Sequence, residues 1–312
     1  MKKSEDEARA AWLKERRKGI GGSDIAAICG LSPWATPFDV YLSKTGMLPD
    51  EQDKDWLYWG RVLENVIADE YAKQQNVKIR KIKNIIRHKK YSHRAASIDR
   101  AIIANDRGKG ILECKTANTF MGSEWGHEDS ENIPVWYKAQ IQWYLGVTGW
   151  NYADVAVLIG GQIFKTYQFE PDRELILEMF EMADDFWYNH VVRLIPPPLE
   201  TVSDVVKAYP FDDGGSVVTS QEVADARQRL SEIKKIESSL AEEKKRLQFR
   251  VEEWMGQSST LIGVDGKKLA TWKRQESTRV DVNKLRKQFP DVYKQVIKTT
   301  DSRVLRITGA KK

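Results

Sequence analysis

The chain has 312 residues, of which 41% are hydrophobic and 30% charged, and its formal net charge is +5. This composition supports a sizeable core and excludes a globally disordered protein. Two cysteines are too few for a disulfide framework or a cysteine-held metal cluster. The sequence shows no apolar stretch of membrane-spanning length and no apolar signal region at its start, so we expect a cytoplasmic protein with reduced thiols.

The first part of the chain predicts short helices separated by turns. Apolar residues recur at helical spacing, and glycine or proline interrupts each run. Helices are expected over residues 5–18, 25–29, 38–44 and 56–75.

The period then changes from helical to extended. Residues 77–88 alternate apolar and basic side chains, as a half-exposed strand with a bulge or break would. Further elements are expected as strands 95–104 and 110–116 around a turn at 105–108, a helix at 133–148, a hairpin of strands 152–159 and 162–169, and a helix at 171–194.

Three consecutive prolines at 196–198 cannot continue a helix and predict a domain edge. The expected divisions are a first domain at 1–198, a linker at 199–218, a long amphipathic helix at 219–257 and a basic extension at 258–312. The long helix has a near-heptad apolar pattern, but Glu237 and Lys244 interrupt it, which favours packing on the protein over packing on a partner helix. The extension predicts a hairpin at 265–266, a short helix near 281–289 and a last strand near 302–307.

The positive charge is unevenly distributed. Residues 267–312 contain 14 Lys and Arg against 4 Asp and Glu, and residues 76–94 contain eight Lys and Arg without an acid. Such clusters fit a polyanionic partner, although a solvated charged surface would have the same composition.

A group of polar side chains on two expected strands indicates chemistry. Glu113 and Lys115 are two residues apart, so on a strand they share one face, and Asp99 can face them from the neighbouring strand. Two carboxylates beside an ammonium are costly to bury, and a hard divalent cation such as Mg²⁺ would explain them. Lys115 could then orient or deprotonate a water, while Cys114 could offer only its backbone carbonyl. An exposed cross-strand salt bridge is the alternative interpretation of Glu113 and Lys115.

Three more residues fit this group. Glu64 falls on a helix face that should be partly inward, where an acid needs a partner. Gln140 and Tyr144 lie one turn apart on one helix face, whereas Gln142 projects almost opposite. Gln140 is therefore the better candidate for a hydrogen bond to a nucleophilic water or a substrate.

These residues resemble a known superfamily. Asp99, the Glu113-Cys114-Lys115 run and the Gln140/Tyr144 pair resemble the PD-(D/E)xK nucleases. The closest resemblance is to the YqaJ-like viral recombinase (lambda-exonuclease) branch and rests on two N-terminal runs, Arg16-Arg17-Lys18-Gly19-Ile20-Gly21-Gly22-Ser23-Asp24 and Ser32-Pro33-Trp34. It covers residues 10–195. One departure is that Ile98 and Arg100 flank Asp99, where the family often has Pro and Gly.

The resemblance implies a fold and a set of roles. The fold would be α/β (α+β), with a central mixed sheet flanked by helices and a helical, partly β C-terminal extension. Asp99, Glu113 and Glu64 would bind Mg²⁺ or Mn²⁺, Lys115 would act on the attacking water, and Gln140 would help to position it.

The first of these two runs, residues 16–24 (the N-terminal run), would form a pocket for a terminal 5′-phosphate. Arg16 and Ser23 match that pocket in the family, with Arg17 as the alternative if the register slips by one residue. A glycine-rich turn at a helix start offers amide hydrogens to a phosphate, and arginine adds a bidentate charge. For Gly21–Asp24, an ordinary capped helix start is the alternative interpretation.

The function implied is a 5′→3′ exonuclease on linear double-stranded DNA that leaves 3′ single-stranded overhangs for phage-type recombination in a bacterial host. Relatives form ring-shaped trimers and work beside a single-strand annealing protein. The resemblance therefore implies a homotrimer and an annealing protein as a partner. Two alternatives remain: an endonuclease or a nuclease of branched or single-stranded DNA, and a non-catalytic DNA-binding protein on this fold.

Overall fold

The computed structural model describes residues 2–48, 54–104, 106–127 and 130–307, and the chain divides into two compact units at residues 1–207 and 208–312. The helices of the first unit are α1 Lys2–Arg16, α2 Gly22–Ile28, α3 Pro37–Thr45, α4 Asp55–Gln74, α5 Val135–Thr148, α6 Arg173–Phe186 and α7 Val202–Ala208, with a short 3-10 helix at Thr119–Glu124. Its strands are β1 Lys78–Lys81, β2 Ile86–Arg87, β3 Ala95–Ala96, β4 Arg100–Ala104, β5 Gly110–Ala117, β6 Tyr152–Ile159 and β7 Ile163–Phe169.

A five-stranded sheet in the order β1-β4-β5-β6-β7 organises this unit. The β5–β6 pair is parallel and the other three pairs are antiparallel, so the sheet is mixed. Helix α5 makes the crossover that two adjacent parallel strands require. The predicted class, a central mixed sheet flanked by helices, is confirmed.

The two faces of the sheet pack against different helices. On one face, Leu112 of β5 packs in an apolar cluster with Ile67 and Tyr71 of α4. Side chains alternate along a strand, so Glu113 points to the other face, where α5 lies and where Gln140 contacts it. The sheet therefore separates the α4 side, which holds this apolar cluster, from the α5 side, where Glu113 meets Gln140.

The segment predicted as one strand at 95–104 is two strands. β3 pairs with β2 in a separate two-stranded sheet, whereas β4 pairs with β1 and β5. The chain changes sheets at residues 97–99, so Asp99 lies in a bend and not on a strand. Residue 105 of the predicted turn lies outside the described residues. The predicted break within 77–88 falls between β1 and β2.

Two features differ from the expectations around the triple proline. The α-helix predicted at 171–194 becomes π-helical over Trp187–Val192. The predicted linker at 199–218 contains α7, whose Asp204 is fully buried and accepts a 2.8 Å hydrogen bond from the Thr36 hydroxyl. The first unit therefore extends to residue 207 because α7 packs onto it.

The second unit contains the long helix and the basic extension. Its elements are α8 Gln221–Met255, β8 Thr260–Ile262, β9 Lys268–Thr271, α9 Val282–Gln288 and α10 Pro290–Val296. The last strand predicted near 302–307 is wrong, because this stretch has no ladder partner and Leu305 is 83% exposed. Among the described residues, none of the helices combines the length and apolarity that a bilayer span requires.

Candidate active site

The candidate site lies where β4 separates from β5. Arg100 opposite Leu112 is the last pair of that ladder. Beyond it, the Cys114 N–H donates a 2.8 Å hydrogen bond to Oδ2 of Asp99 in place of a ladder carbonyl. The N–H and C=O of one strand residue point to the same side, so the Cys114 carbonyl opens toward Asp99 as well. The break at 97–99 is therefore what brings the carboxylate to the edge of β5.

Glu113, Lys115 and Gln140 form a closed triangle of hydrogen bonds on the α5 side of the sheet. Lys115 Nζ lies 2.8 Å from Glu113 Oε1, Gln140 Nε2 donates to the same oxygen at 2.8 Å, and Lys115 Nζ donates to Gln140 Oε1 at 3.1 Å. Tyr144 accepts from Gln140 Nε2 at 2.9 Å, and the Tyr137 ring lies 4.6 Å from Lys115 Nζ. The ammonium is thus fixed from three sides.

The site has an excess of buried negative charge. Oε2 of Glu113 is buried and has no hydrogen-bond partner among the described residues. Burial, together with the neighbouring Glu113 charge, raises the pKa of Asp99 well above its usual range. Burial also raises the pKa of Glu113 against the opposing charge of Lys115. A cation beside these two carboxylates would remove the cost of keeping both ionised.

Glu64 lies close to the site but is already paired. Its Oε1 accepts from Arg100 Nη1 at 2.5 Å and lies 3.2 Å from Lys81 Nζ. In the described part of the chain, no three His, Cys, Asp or Glu side chains are arranged to hold a metal ion. Asp99 and Glu113 could hold a cation as a pair, while Glu64 is engaged through Oε1 with Arg100 and Lys81.

Helix α2 packs directly against the side of α5 that carries Gln140 and Tyr144. A Cβ on Gly22 would lie 2.6 Å from both Gln140 Cγ and Tyr144 Cε1, so only glycine fits this contact. Ser23, the next residue, is exposed. The N-terminal run thus adjoins the Gln140/Tyr144 pair, although the two lie more than 110 residues apart in sequence.

The structure brings Arg16 and Ser23 together. Arg16 Nη2 donates to Ser23 Oγ at 2.5 Å and lies 3.9 Å from Oδ1 of Asp24. Arg17, the alternative residue, is half-buried and makes interactions of its own. Arg16 is therefore the arginine that shares a surface with Ser23.

Helix α2 has a capped start, so the Gly21 amide at this end is not available to a ligand. The Gly21 N–H donates to Asp24 Oδ2 at 2.7 Å and is not free for a ligand. Asp24 is buried and also pairs with Lys44 Nζ at 2.5 Å. Burial opposes ionisation of Asp24, but the charges of Lys44 and Arg16 outweigh it and lower its pKa. The Arg16 guanidinium and the Ser23 hydroxyl are the side-chain groups at this surface that suit a phosphate.

The chain around Gly19 is held by backbone pairing. The Ile20 N–H donates to the His93 carbonyl at 2.6 Å, and the Ala95 N–H donates to the Ile20 carbonyl at 2.9 Å. A Cβ on Gly19 would collide with the His93 carbonyl. This pairing fixes the path of the chain into α2.

Sequence reasoning missed several residues of the site. From the sequence, Gly22 belongs to a turn that offers amides to a phosphate and Arg100 marks a departure from the family pattern. Neither the packing of Gly22 on Gln140 nor the pairing of Arg100 with Glu64 is predicted, and Tyr137 is not among the candidates. Their roles depend on contacts between distant segments, so no local pattern reports them. The charge complementarity of Arg100 and Glu64 is the one available signal, since a buried arginine needs an acid.

Comparison with known proteins places the chain in a family. The profile of the YqaJ-like viral recombinase domain matches residues 11–151. The uncharacterized protein YqaJ of Bacillus subtilis (strain 168) is 37% identical over 313 residues, which cover 97% of this chain and 95% of that protein.

Two solved structures are similar at lower identity. The alkaline exonuclease LHK-Exo from Laribacter hongkongensis is 17% identical, with a TM-score of 0.48 over 60% of this chain and 94% of that one. The phage related exonuclease from Haemophilus somnus 129PT is 13% identical, with a TM-score of 0.39 over 56% of this chain and 96% of that one. The Bacillus protein is similar over nearly the full length of both chains, and the family profile matches the N-terminal part. The chain therefore belongs to the YqaJ-like viral recombinase family.

Proposed function

We propose that this protein is a metal-dependent deoxyribonuclease, and specifically a 5′→3′ exonuclease on linear double-stranded DNA. The observation that carries the proposal is the triangle of Glu113, Lys115 and Gln140 beside Asp99, with one buried Glu113 oxygen unpartnered. A purely structural salt bridge would satisfy its buried atoms, because an unpaired buried carboxylate oxygen costs about 1–3 kcal/mol or more.

The donor set fits a hard divalent cation, Mg²⁺ or Mn²⁺. Asp99, Glu113 and the Cys114 carbonyl offer only oxygen, which these ions prefer, and Glu64 is a further acid close by. The raised pKa of Asp99 and the unpartnered Glu113 oxygen both indicate missing positive charge. When bound, the cation would supply charge that stabilises the transition state at the phosphate and makes a nearby water more acidic.

The chain's own residues then position the reactants. Lys115 remains an ammonium: burial lowers its pKa, but the charges of Glu113 and Asp99 together with the hydrogen bond to Glu113 outweigh burial and raise it. It can hold the attacking water or the phosphate oxygen by a charge-assisted hydrogen bond. Gln140 donates both Nε2 hydrogens, to Glu113 and Tyr144, so it can accept a hydrogen bond from the same water through Oε1. In the overall reaction the water oxygen bonds to phosphorus, the P–O3′ bond breaks and the departing 3′ oxygen takes up a proton.

End recognition would come from the surface formed by Arg16 and Ser23. It adjoins the Gln140/Tyr144 pair through Gly22, so a 5′-terminal phosphate bound there would place a nearby phosphodiester close to the catalytic side chains. A guanidinium and a hydroxyl together suit a phosphate dianion. This proximity supports a 5′→3′ direction.

The product and the assembly follow from the same proposal. Digestion from 5′ ends leaves 3′ single-stranded overhangs, which are the substrate of a single-strand annealing protein. A ring-shaped homotrimer around the duplex would favour processive digestion. Light scattering would give the mass, and a monomer at assay concentrations would contradict the trimer.

The test uses end-labelled linear duplexes with and without a 5′-phosphate, in Mg²⁺ or in EDTA. The proposal predicts nucleotide release in Mg²⁺ only, faster from phosphorylated 5′ ends, and no cleavage of covalently closed circular DNA. Cleavage of the circle would favour the endonuclease alternative. Release that ignores the 5′-phosphate would contradict the roles of Arg16 and Ser23, and no release from any substrate would leave only a DNA-binding role.

A further inference from the structure

We propose that the C-terminal unit carries a second DNA-binding surface, for single-stranded DNA, over residues 267–307 (the basic segment). This inference rests on the proposed nuclease function and adds a place where the strand that is not digested can be held. The unit is compact and separate from the one that contains the candidate active site.

The first observation is unpaired positive charge. Among the described residues, most cations of the basic segment are exposed and have neither an ion pair nor a side-chain hydrogen bond; they are Lys268, Lys273, Arg274, Arg279, Lys284, Lys287, Lys294, Lys298 and Arg306. The acids offer little compensation, since Asp281 already accepts from the backbone of α9. Helix α8 of the same unit, by contrast, carries eight cations and eight acids. The imbalance is therefore confined to the basic segment, and it fits a polyanion.

The second observation is flat apolar side chains among these cations. Trp272 is 46% exposed and is followed directly by Lys273 and Arg274, and Phe289, two residues after Lys287, is 56% exposed. An exposed ring beside free cations is the combination on which unpaired bases stack while their phosphates are neutralised. A duplex hides the faces of its bases, so these rings favour a single strand.

The third observation is backbone accessibility. Residues 272–281 have no regular secondary structure, and all their side chains are exposed. The backbone N–H of Trp272 donates to the Ser259 carbonyl at 3.0 Å and fixes the start of this stretch. The residues that follow it, up to 281, belong to no helix or strand. An irregular, solvent-facing stretch of ten residues that carries Lys273, Arg274 and Arg279 can follow a DNA backbone without refolding the unit.

The test is binding of a fluorescent single-stranded oligonucleotide by the full-length protein in EDTA, measured by anisotropy over a range of salt. The variant K273Q/R274Q/R279Q removes three cations from the basic segment. The matched control K234Q/K235Q/R246Q removes three from the charge-balanced α8, so both variants have the same net charge. If all three residues contact phosphate, the slope of log affinity against log salt should become shallower by about 2, which is roughly a 100-fold loss at 0.1 M salt. The control should bind like the parent.

A second variant tests stacking. W272A should weaken single-strand binding about tenfold or more, with a smaller effect on a duplex of the same sequence. Equal losses in the basic-segment variant and its α8 control would overturn the proposal, as would equal effects of W272A on both DNA forms. Competition by polyglutamate as strong as by the oligonucleotide would identify an acidic protein as the partner instead.

These outcomes are separable from the proposed function. Nucleotide release by the parent in Mg²⁺ is measured independently of binding in EDTA. Release with unchanged binding by the basic-segment variant would refute the second surface and leave the nuclease. If the parent releases no nucleotide but the basic-segment variant loses single-strand binding, the nuclease proposal is refuted and the second surface is retained. Unchanged thermal unfolding of each variant shows that it is folded.

Discussion

Replacing Gly22 with alanine tests the contact between the N-terminal run and helix α5. The new Cβ would lie 2.6 Å from Gln140 Cγ and from Tyr144 Cε1, whereas carbon atoms in contact lie about 3.5–4.0 Å apart. Either α2 or both side chains must therefore move by roughly 1 Å. Overpacking of this kind costs about 1–3 kcal/mol in the free energy of unfolding.

The effect on activity should exceed the effect on stability. A displacement of about 1 Å in a positioning group can reduce turnover about 100-fold. Gln140 holds both Glu113 and Lys115, so its movement disturbs the whole triangle. For a unit of about 200 residues the unfolding temperature should fall by roughly 2–4 °C per kcal/mol.

The assay is nucleotide release from a linear duplex, combined with thermal unfolding of the same preparation. Gly60→Ala is the matched control, because a Cβ there meets no atom within 4 Å and alanine favours helix α4. Gly60→Ala should be as active as the parent and equally or more stable. A Gly22→Ala protein with the parent's turnover and unfolding temperature would refute the packing argument.

Three further predictions concern metal, acid stability and end recognition. Glu113→Gln should bind Mn²⁺ at least about 10-fold more weakly than the parent in calorimetry, and Asp99→Asn should do the same; unchanged affinity would remove them as ligands. Burial raises the Asp184 pKa, but hydrogen bonds from Arg94 and a neighbouring histidine outweigh it and lower that pKa. The stability that Asp184 contributes is therefore present at neutral pH and is lost as pH falls below about 4. In acid denaturation curves, Asp184→Asn should be less stable than the parent at neutral pH and equally stable once the pH is below that range. Arg16→Ala should raise KM for 5′-phosphorylated ends with little change for unphosphorylated ones, and an equal change for both would contradict phosphate recognition.

The residues on β5 are the part of the site that local sequence predicts well. Alternation places Glu113 and Lys115 on one face, and a helical turn places Gln140 beside Tyr144. The same helical spacing turns Gln142 away, toward the Glu170 carbonyl and the Asp172 N–H. These relations hold over a few residues, so no knowledge of the tertiary fold is needed.

The surroundings of Asp99 are the part that could not be predicted. The run before β4 has the apolar pattern of a continuous strand, but pairing with two different sheets breaks it. The hydrogen bond from the Cys114 N–H to Asp99 exists only because of that break. The pairing of Glu64 with Arg100 likewise depends on how α4 crosses the sheet.

Edge effects explain the error near the C-terminus. Val304, Leu305 and Ile307 have the spacing and residue types of a short strand. A strand also needs a neighbour whose backbone groups pair with its own, and among the described residues this stretch pairs with neither edge of the β8–β9 sheet. Local preference without a partner therefore leaves this stretch irregular.

The most direct test of the central claim compares Lys115→Ala with the parent. The matched control is Lys138→Ala, which removes a half-exposed lysine that pairs only with Glu131 among the described residues. The measurement is nucleotide release from linear duplex DNA in Mg²⁺, with DNA binding in EDTA measured in parallel. Lys115→Ala should lose at least about 100-fold in turnover while still binding DNA, and Lys138→Ala should match the parent. Digestion by Lys115→Ala at the parent's rate would contradict the assignment of the site.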